Sequence, residues 1–331
     1  MNKELYLKIK QNKAVIVIIP AYLAEKSIQK VISGIPDWIR AIIVVDDGSQ
    51  DRTSEIVQSM NNPKISLIQH NQNMGVGGAM LTGYKKSLEL GADIIVKIDS
   101  DGQMDPIYMD KLIQPIVLGK ADYTKGNRFF YWQGTERMPL YRKIGNLSLS
   151  FLSKLASGYW DIFDPTNGYT AISAEIIPLL DFNHISNRFF FETSMLIGLR
   201  IIRAVVVDVY IPAKYEGEKS HLSAWKSLFE FPPKIIKGFL RRIIYEYFIR
   251  DFTQTSLLLF TGVIFSGFGL IWSLYYWLRS IKTGVVTTTG TVMIGVLPVI
   301  LGIQFLLQAL VMDTQNIPDN PISNDKFNSI I

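Results

Sequence analysis

Short apolar, β-branched runs alternate with polar stretches along the first two thirds of the chain. AVIVIIP (14–20), AIIVVDD (41–47), ISLIQ (65–69) and ADIIVKID (92–99) read as strands. EKSIQKVISGI and DRTSEIVQSM, which lie between them, have helical character. Continuous apolar strands separated by helices predict a mostly parallel sheet covered on both faces. Two later runs, ADYTKGNRF and AVVVDVYIP, read as further strands. No internal repeat or low-complexity tract interrupts the pattern.

The pattern changes near the C-terminal end. Phe252 to Leu278 is 27 residues without a charge, and Thr283 to Met312 is 30. Each exceeds the roughly 20 residues a helix needs to cross a bilayer. Their glycines and Pro298 are tolerated in membrane helices. A transmembrane hairpin is the expectation, with a pair of buried core helices as the alternative. Before it, KIIKGFLRRIIYEYFIRD (234–251) repeats an apolar pair every four residues. One apolar stripe with most basic residues off it predicts an amphipathic helix lying in the interface. Pro232-Pro233 is expected to break any helix before it. Lys234, Lys237, Arg241, Arg242 and Arg250 outnumber Arg279 and Lys282 of the short loop, so the positive-inside rule puts both chain ends in the cytosol. The charged start, MNKELYLKIKQNK, is not a signal peptide pattern, and the N-terminal domain is expected on the same side. The resulting plan is a domain over 1–221, juxtamembrane helices over 222–251, two spans over 252–312 and a polar, flexible tail over 313–331.

Composition narrows the function. The chain of 331 residues is 48% apolar and 19% charged, with net charge +5 and no cysteine. Disorder, a disulfide scaffold and Cys-ligated zinc are excluded. Basic residues gathered beside an apolar segment point to anionic lipid, and no nucleic-acid partner is expected. His70, His184 and His221 are scattered without an H-x-x-x-H pair and suggest no metal site.

Carboxylates carry the chemistry. In open α/β sheets, ligands bind beyond the carboxyl ends of the strands. Asp46 and Asp47 end the second run, and Asp99 ends the fourth with Asp101 two residues on. In extended chain, residues i and i+2 point the same way, so Asp99 and Asp101 converge. Two converging carboxylates call for a cation, and oxygen ligands suit Mg²⁺ or Mn²⁺ bridging to phosphate. Gln103 adds a neutral oxygen. An ordinary acidic turn is the plainer alternative. Asp46 and Asp47 are placed to accept hydrogen bonds from a base or ribose, and Ser49 or Asp51 to cap the next helix. NMGVGGAMLTG (73–83) matches neither G-x-G-x-x-G nor a P-loop. Its glycines either let backbone approach a ligand or start a helix.

IIPAY (18–22), VVDDGSQDRT (44–53), the N-x-G segment at 73–75 and DSDGQ (99–103) resemble family 2 glycosyltransferases of the GT-A fold. KGNRF (125–129), DPTNGYTAIS (164–173), FFFET (189–193) and EKSHLS (218–223) narrow the resemblance to the polyprenyl-phosphate branch, which includes dolichol-phosphate mannose synthase. The resemblance implies a Rossmann-like, mostly parallel GT-A domain, then an interfacial helix and a two-helix membrane hairpin. It implies a nucleotide pocket of Pro20, Ala21, Tyr22, Glu25, Asp46 and Asp47. It places Asp99, Asp101 and Gln103 on the metal at the donor diphosphate, and Arg128 and Arg142 on the acceptor phosphate. Asp164 falls near the reacting sugar, and Ser220 and His221 face phosphate. Three positions depart from the family pattern. Glu25 is alone where an acidic pair is usual, His221 stands for lysine, and Thr170 stands for arginine. Q-x-x-R-W, the mark of processive polysaccharide synthases, is absent.

The implied reaction is inverting transfer of a sugar from a nucleotide-sugar donor to a membrane polyprenyl phosphate, such as undecaprenyl or dolichyl phosphate. The implied protein is multi-pass, with its catalytic domain cytosolic, in the plasma membrane if prokaryotic. A homo-oligomer is a further expectation from the resemblance. A catalytically silent membrane-tethered scaffold and a transferase acting directly on a glycan are the competing readings. Phe129 to Trp132 reads as core, interfacial contact or a flap; Asn187, Arg188 and Glu192 read equally as structural or as lining the acceptor entrance.

Overall fold

The computed structural model describes residues 3–128, 140–165, 167–212 and 224–324. Seven strands form one sheet: β1 (Val15–Ala21), β2 (Ala41–Asp46), β3 (Ile65–Gln69), β4 (Ile94–Lys97), β5 (Tyr123–Asn127), β6 (Thr170–Ser173) and β7 (Val206–Tyr210). Their order is β3-β2-β1-β4-β6-β5-β7. β1–β2, β2–β3, β1–β4 and β5–β7 are parallel. β6 runs antiparallel to both β4 and β5. The six strands expected from apolar runs are all present. β6 was not among them, because TAIS is too short and mixed to stand out.

The strands are apolar on both sides because helices cover both faces. Val15, Val17, Ile19, Val44 and Val96 pack into a core with Leu112 and Ile113 of α5 (Met109–Val117). On the opposite face Ile18 meets Gly83 of α4 (Val76–Glu89), where a methyl group on Gly83 would lie 2.6 Å from Ile18 Cγ2.

Chain order goes from β1 outward to β2 and β3, then returns to the other side of β1 with β4. The reversal makes β1/β4 the switch point, where open α/β sheets leave a crevice for ligands.

The glycine-rich segment at 73–83 opens α4, and its glycines serve packing. The Gly77 N–H donates to the Asn187 carbonyl at 2.8 Å, and a Cβ on Gly77 would sit 2.1 Å from the Ser186 carbonyl oxygen. The backbone that approaches this helix start is therefore the protein's own. Gly77→Ala is expected to destabilise the fold by about 1–3 kcal/mol, since neither backbone can yield easily. Thermal unfolding of the purified protein checks this, and a Tm lowered by several degrees is the expected result.

α6 (Leu140–Ser157), α7 (Phe191–Ile201) and α8 (Ala224–Ile244) form a second core of Ala156, Phe190, Ile197, Ile201, Phe231 and Ile235. Pro232 and Pro233 lie inside α8 and do not break it, contrary to the sequence expectation. Packing of Phe231 and Ile235 on either side of them holds the turn. The chain divides into two units, 1–240 with 318–331, and 241–317. The division falls within α8. The tail expected to be free from Asp313 is partly structured. Ile322 and Ser323 donate backbone N–H bonds, each 3.0 Å, to the carboxylate of buried Asp122.

The second unit contains α9 (Gln254–Thr283) and α10 (Thr289–Gln315). Only 11% and 17% of their most apolar windows are buried, so these are not core helices of a soluble protein. Gly262 and Gly269 face Gly302 and Gly295 at backbone contact distance, the small-residue packing that lets membrane helices approach. Arg242, one of the basic residues in the positive-inside count, lies inside the fold. It is fully buried, and its guanidinium grips Asp313 at 2.6 and 3.0 Å and Glu246 at 3.2 Å. Tyr247 donates to the same Asp313 carboxylate at 2.7 Å. A buried guanidinium needs such compensation.

Candidate active site

Three loops meet at the carboxyl ends of β1, β2 and β4. The register pairs Ala21 with Asp46, and the Asp47 N–H donates to the Ala21 carbonyl at 2.8 Å. The loop after β1 is stitched to the loop after β2: Leu23 N donates to Ser49 Oγ at 3.0 Å, Ala24 N to Thr53 Oγ1 at 2.9 Å and Glu25 N to Asp51 Oδ2 at 3.1 Å. Glu25 returns a bond by accepting from Arg52 N at 3.3 Å. Leu23 holds a positive φ of 53°, an uncommon conformation for a non-glycine residue, which these bonds enforce. Ser27 Oγ donates to the Ser100 carbonyl at 2.6 Å and ties the same loop to the turn after β4. Pro20, Ala21, Tyr22, Glu25, Asp46 and Asp47 therefore share one wall. Tyr22 is 49% exposed and offers an aromatic face there.

Asp46 and Asp47 are each only 3% exposed. Asp46 accepts from Ser49 N at 3.0 Å and from the Ser54 hydroxyl. Asp47 accepts from Met74 N at 2.9 Å and Gly75 N at 2.7 Å, and meets His70 Nδ1 at 2.7 Å. Their oxygens are taken up inside the fold, so they shape the wall that a nucleotide would meet. Asp51 accepts from Thr53 N at 3.1 Å ahead of α3 (Thr53–Ser59), but the cap position is Arg52 and makes no side-chain cap bond, so neither Asp51 nor Ser49 is the capping residue the sequence led one to expect.

The DSDGQ segment is a tight turn. Asp101 Oδ1 accepts from Gln103 N at 3.0 Å, and Gly102 takes φ of 79°, a region glycine enters without steric cost. Asp101 and Gln103 are exposed and Asp99 is half-buried. Asp99 and Asp101 supply hard carboxylate oxygens. Among the described residues no group of three or more His, Cys, Asp or Glu gathers as a metal site. Such a donor set fits Mg²⁺ or Mn²⁺ only when a bound phosphate and water complete the shell, the usual arrangement for Mg²⁺ at nucleotides.

Sequence reasoning missed what lies behind Asp99. Lys97 is buried, and its ammonium lies 2.8 Å from Asp99 Oδ1 and 3.1 Å from Glu192 Oε1. Burial acts to lower its pKa, but the two carboxylates outweigh burial and raise it, so it stays charged. A lysine at the end of an otherwise apolar strand was the available signal, because lysine is almost never buried without a partner.

At the same edge of the sheet, β5 ends at Asn127 and leads into Arg128. Its Nε lies 2.8 Å and its Nη2 3.2 Å from the two oxygens of buried Asp164. This two-point pairing fixes the plane of the guanidinium. Below it lie Lys125, whose ammonium donates to the Asn167 carbonyl, and Asp208, which accepts from Phe163 N at 2.8 Å and Asn127 Nδ2 at 2.9 Å. Burial pushes Lys125 down to about 8 and Asp208 up to about 6. The side chain of Arg142, and all of Phe129 to Trp132, Ser220 and His221, lie outside the described residues.

A carboxyl raised on folding binds more protons in the native than in the unfolded chain. Asp208 therefore makes stability fall as pH rises from about 4 to about 6, with no further loss above. Asp208→Asn is expected to flatten that slope and to stabilise the protein at pH 7 by about 1–3 kcal/mol. Thermal unfolding at pH 4.5, 6 and 7.5 (chosen on the order of one pH unit or more apart) checks the sign.

The match to known proteins follows this geometry. A model described as glycosyl transferase family 2 matches residues 16–178. A UDP-N-acetylglucosamine–dolichyl-phosphate N-acetylglucosaminyltransferase from Methanococcus voltae is 40% identical over 184 residues, covering 51% of this chain and 73% of that protein. The chain belongs to glycosyl transferase family 2. A dolichol-phosphate mannosyltransferase from Pyrococcus furiosus is 28% identical over 262 residues, covering 77% of this chain and 71% of that protein. Among solved structures, glucosyl-3-phosphoglycerate synthase from Mycobacterium tuberculosis in complex with Mg²⁺ and UDP superposes with a TM-score of 0.56 at 20% identity, covering 73% of this chain and 83% of that one. That likeness shows a shared fold, as the sequence resemblance implies. In this family 2 glycosyltransferase the Asp99–Asp101 turn follows β4 at the sheet's switch point, and Arg128, paired with Asp164, follows β5 two strands further along.

Proposed function

We propose that this family 2 glycosyltransferase moves a sugar from a nucleotide-sugar donor to the phosphate of a membrane polyprenyl lipid. The observation that carries the reading is that β4 and β5, both antiparallel to the β6 between them, end at the same edge of the sheet. One leads into a carboxylate turn suited to a cation-bound diphosphate, the other into a fixed guanidinium suited to a second phosphate. Two long, exposed apolar helices in the same chain fit an acceptor that stays in the bilayer. Relatives named for transfer to dolichyl and undecaprenyl phosphate support the acceptor class. UDP-N-acetylglucosamine is the donor we favour, because the relative at 40% identity is named for it.

The chemistry asks little of a general base. The second pKa of a phosphate monoester is about 6, so the nucleophile is already largely ionised at neutral pH. One of its oxygens bonds to the anomeric carbon as the bond to the departing nucleoside diphosphate breaks. A single displacement inverts that carbon. Arg128, held by Asp164, positions the acceptor phosphate for in-line attack. Asp164 is committed to Arg128 and orients it. Tyr22 and the wall around it hold the base and ribose. Asp99, Asp101 and Gln103 would hold Mg²⁺ or Mn²⁺, which when bound supplies Lewis-acid stabilisation of the leaving diphosphate. Lys234, Lys237, Arg241 and Arg250 still outnumber Arg279 and Lys282 once Arg242 is set aside, which supports a catalytic domain on the cytosolic face.

The test compares polyprenyl phosphate with the uncharged polyprenol as acceptor, using UDP-N-acetylglucosamine and proton NMR of the product's anomeric centre. Transfer to the phosphate alone, with inversion, is expected. Equal transfer to polyprenol, or retention, contradicts the proposal.

A further inference from the structure

Lys97 makes the donor site more than a pair of aspartates. It lies in β4, in register with Ile18 of β1 on one side and Thr170 of β6 on the other. Its side chain is 2% exposed. An ammonium so far from water is tolerated only when charged partners compensate it. Here both partners come from elements that frame the crevice. Asp99 belongs to the turn after β4, and Glu192 to the first turn of α7. The space between them exists because residue 168 is glycine. A methyl group there would lie 2.5 Å from Lys97 Nζ and 2.6 Å from Asp99 Oδ2. The ammonium engages Oδ1 of Asp99, while Oδ2 lies on the Gly168 side.

Two consequences follow. Asp99, whose side chain is one third exposed, is held at one oxygen and can offer the other to a cation. Charge is also balanced in advance. Asp99, Asp101 and Glu192 would together carry three negative charges, and Lys97 reduces the sum to two.

We propose that Lys97 is a positioning residue for the donor, using Glu192 as its anchor to fix Asp99 for binding of a cation-bound nucleoside diphosphate. This rests on the reading of the crevice as a donor site. A purely structural lysine, present only to neutralise Glu192, is the competing explanation.

The experiment measures binding of UDP and of GDP, each with Mn²⁺, to the full-length protein in detergent micelles by calorimetry, alongside thermal unfolding. Lys97→Met leaves Glu192 uncompensated and is expected to lower both Tm and nucleotide affinity. The decisive variant is Lys97→Met combined with Glu192→Gln, which removes both charges. Its Tm is expected to recover toward wild type, while affinity for the preferred nucleotide with Mn²⁺ stays weakened tenfold or more. Steady-state kinetics of the same variant are expected to show a raised donor KM with the acceptor KM unchanged. Nucleotide affinity restored to within twofold of wild type overturns the proposal. Glu192→Gln alone keeps an oxygen for the ammonium and is expected to bind within threefold of wild type. Lys97→Met that binds the preferred nucleotide within twofold of wild type also overturns it, and this holds even if the double variant does not fold. Wild-type protein that binds neither nucleotide overturns the donor-site reading itself. Wild-type binding with unaltered variants overturns only the role of Lys97.

Discussion

Asp101→Asn is expected to lower kcat/KM for sugar transfer by about 10²–10³-fold, or about 3–4 kcal/mol of transition-state stabilisation. The fold should not notice. Asp101 is exposed, and asparagine keeps the side-chain oxygen that accepts the Gln103 N–H. Exposed substitutions of this kind usually change stability by no more than about 0.5 kcal/mol. What asparagine lacks is the charge that, with Asp99, would hold a divalent cation on the departing diphosphate. The concentration of Mg²⁺ needed for half-maximal activity should rise in parallel. Kinetics at several Mg²⁺ concentrations, with Tm measured on the same preparation, separate this from general damage. An Asp101→Asn protein with wild-type kcat/KM would remove the turn from the mechanism.

Arg128→Ala is expected to act on the other substrate. The acceptor KM should rise about 10–100-fold, because the fixed guanidinium is the phosphate-holding group of that side. It should also cost about 1–3 kcal/mol in stability. Asp164 is buried and loses a two-point partner, although part of the cost is screened because Arg128 is itself one third exposed. Arg128→Lys restores the charge but not the planar fork, so recovery should be partial. Asp164→Asn gives the complementary result. If Asp164 orients Arg128 and does not take a proton, that variant raises the acceptor KM and leaves the shape of the pH–rate profile unchanged. Loss of an ionisation from the profile would make Asp164 a base.

Six of the seven described strands were readable; the buried parallel strands β1, β2 and β4 leave continuous β-branched runs, and β3, β5 and β7 carry shorter or more mixed ones. β6 escaped because it is four residues long and antiparallel, with threonine and serine at its ends. The two apolar helices announced themselves by length alone. α8 was misjudged at Pro232-Pro233, and the burial of Arg242 was not foreseen. In both cases a tertiary partner decides the outcome, Phe231 and Ile235 packing in the first and Asp313 in the second. The site shows the same division. Asp99 and Asp101 were singled out by i, i+2 spacing near a strand end, but β4 stops at Lys97 and the segment is a tight turn, not the extended chain that spacing assumes. Asp47 was visible as an acidic residue, but its commitment to Met74, Gly75 and His70 depends on a loop about 25 residues away. The bond from Lys97 to Glu192 spans 95 residues of sequence, and no local pattern encodes it.

The central claim is that a cation-dependent donor site and a phosphate-binding acceptor site share this crevice. The most direct measurement incubates membranes containing the protein with polyprenyl phosphate and radiolabelled UDP-N-acetylglucosamine, UDP-glucose or GDP-mannose, with Mg²⁺ or with EDTA, and counts label in the lipid phase. Transfer from one donor, UDP-N-acetylglucosamine in this account, that EDTA abolishes is the predicted result. Absence of transfer from every donor, by folded protein with lipid present, would contradict it and return the chain to a membrane-tethered scaffold that keeps the fold without the reaction.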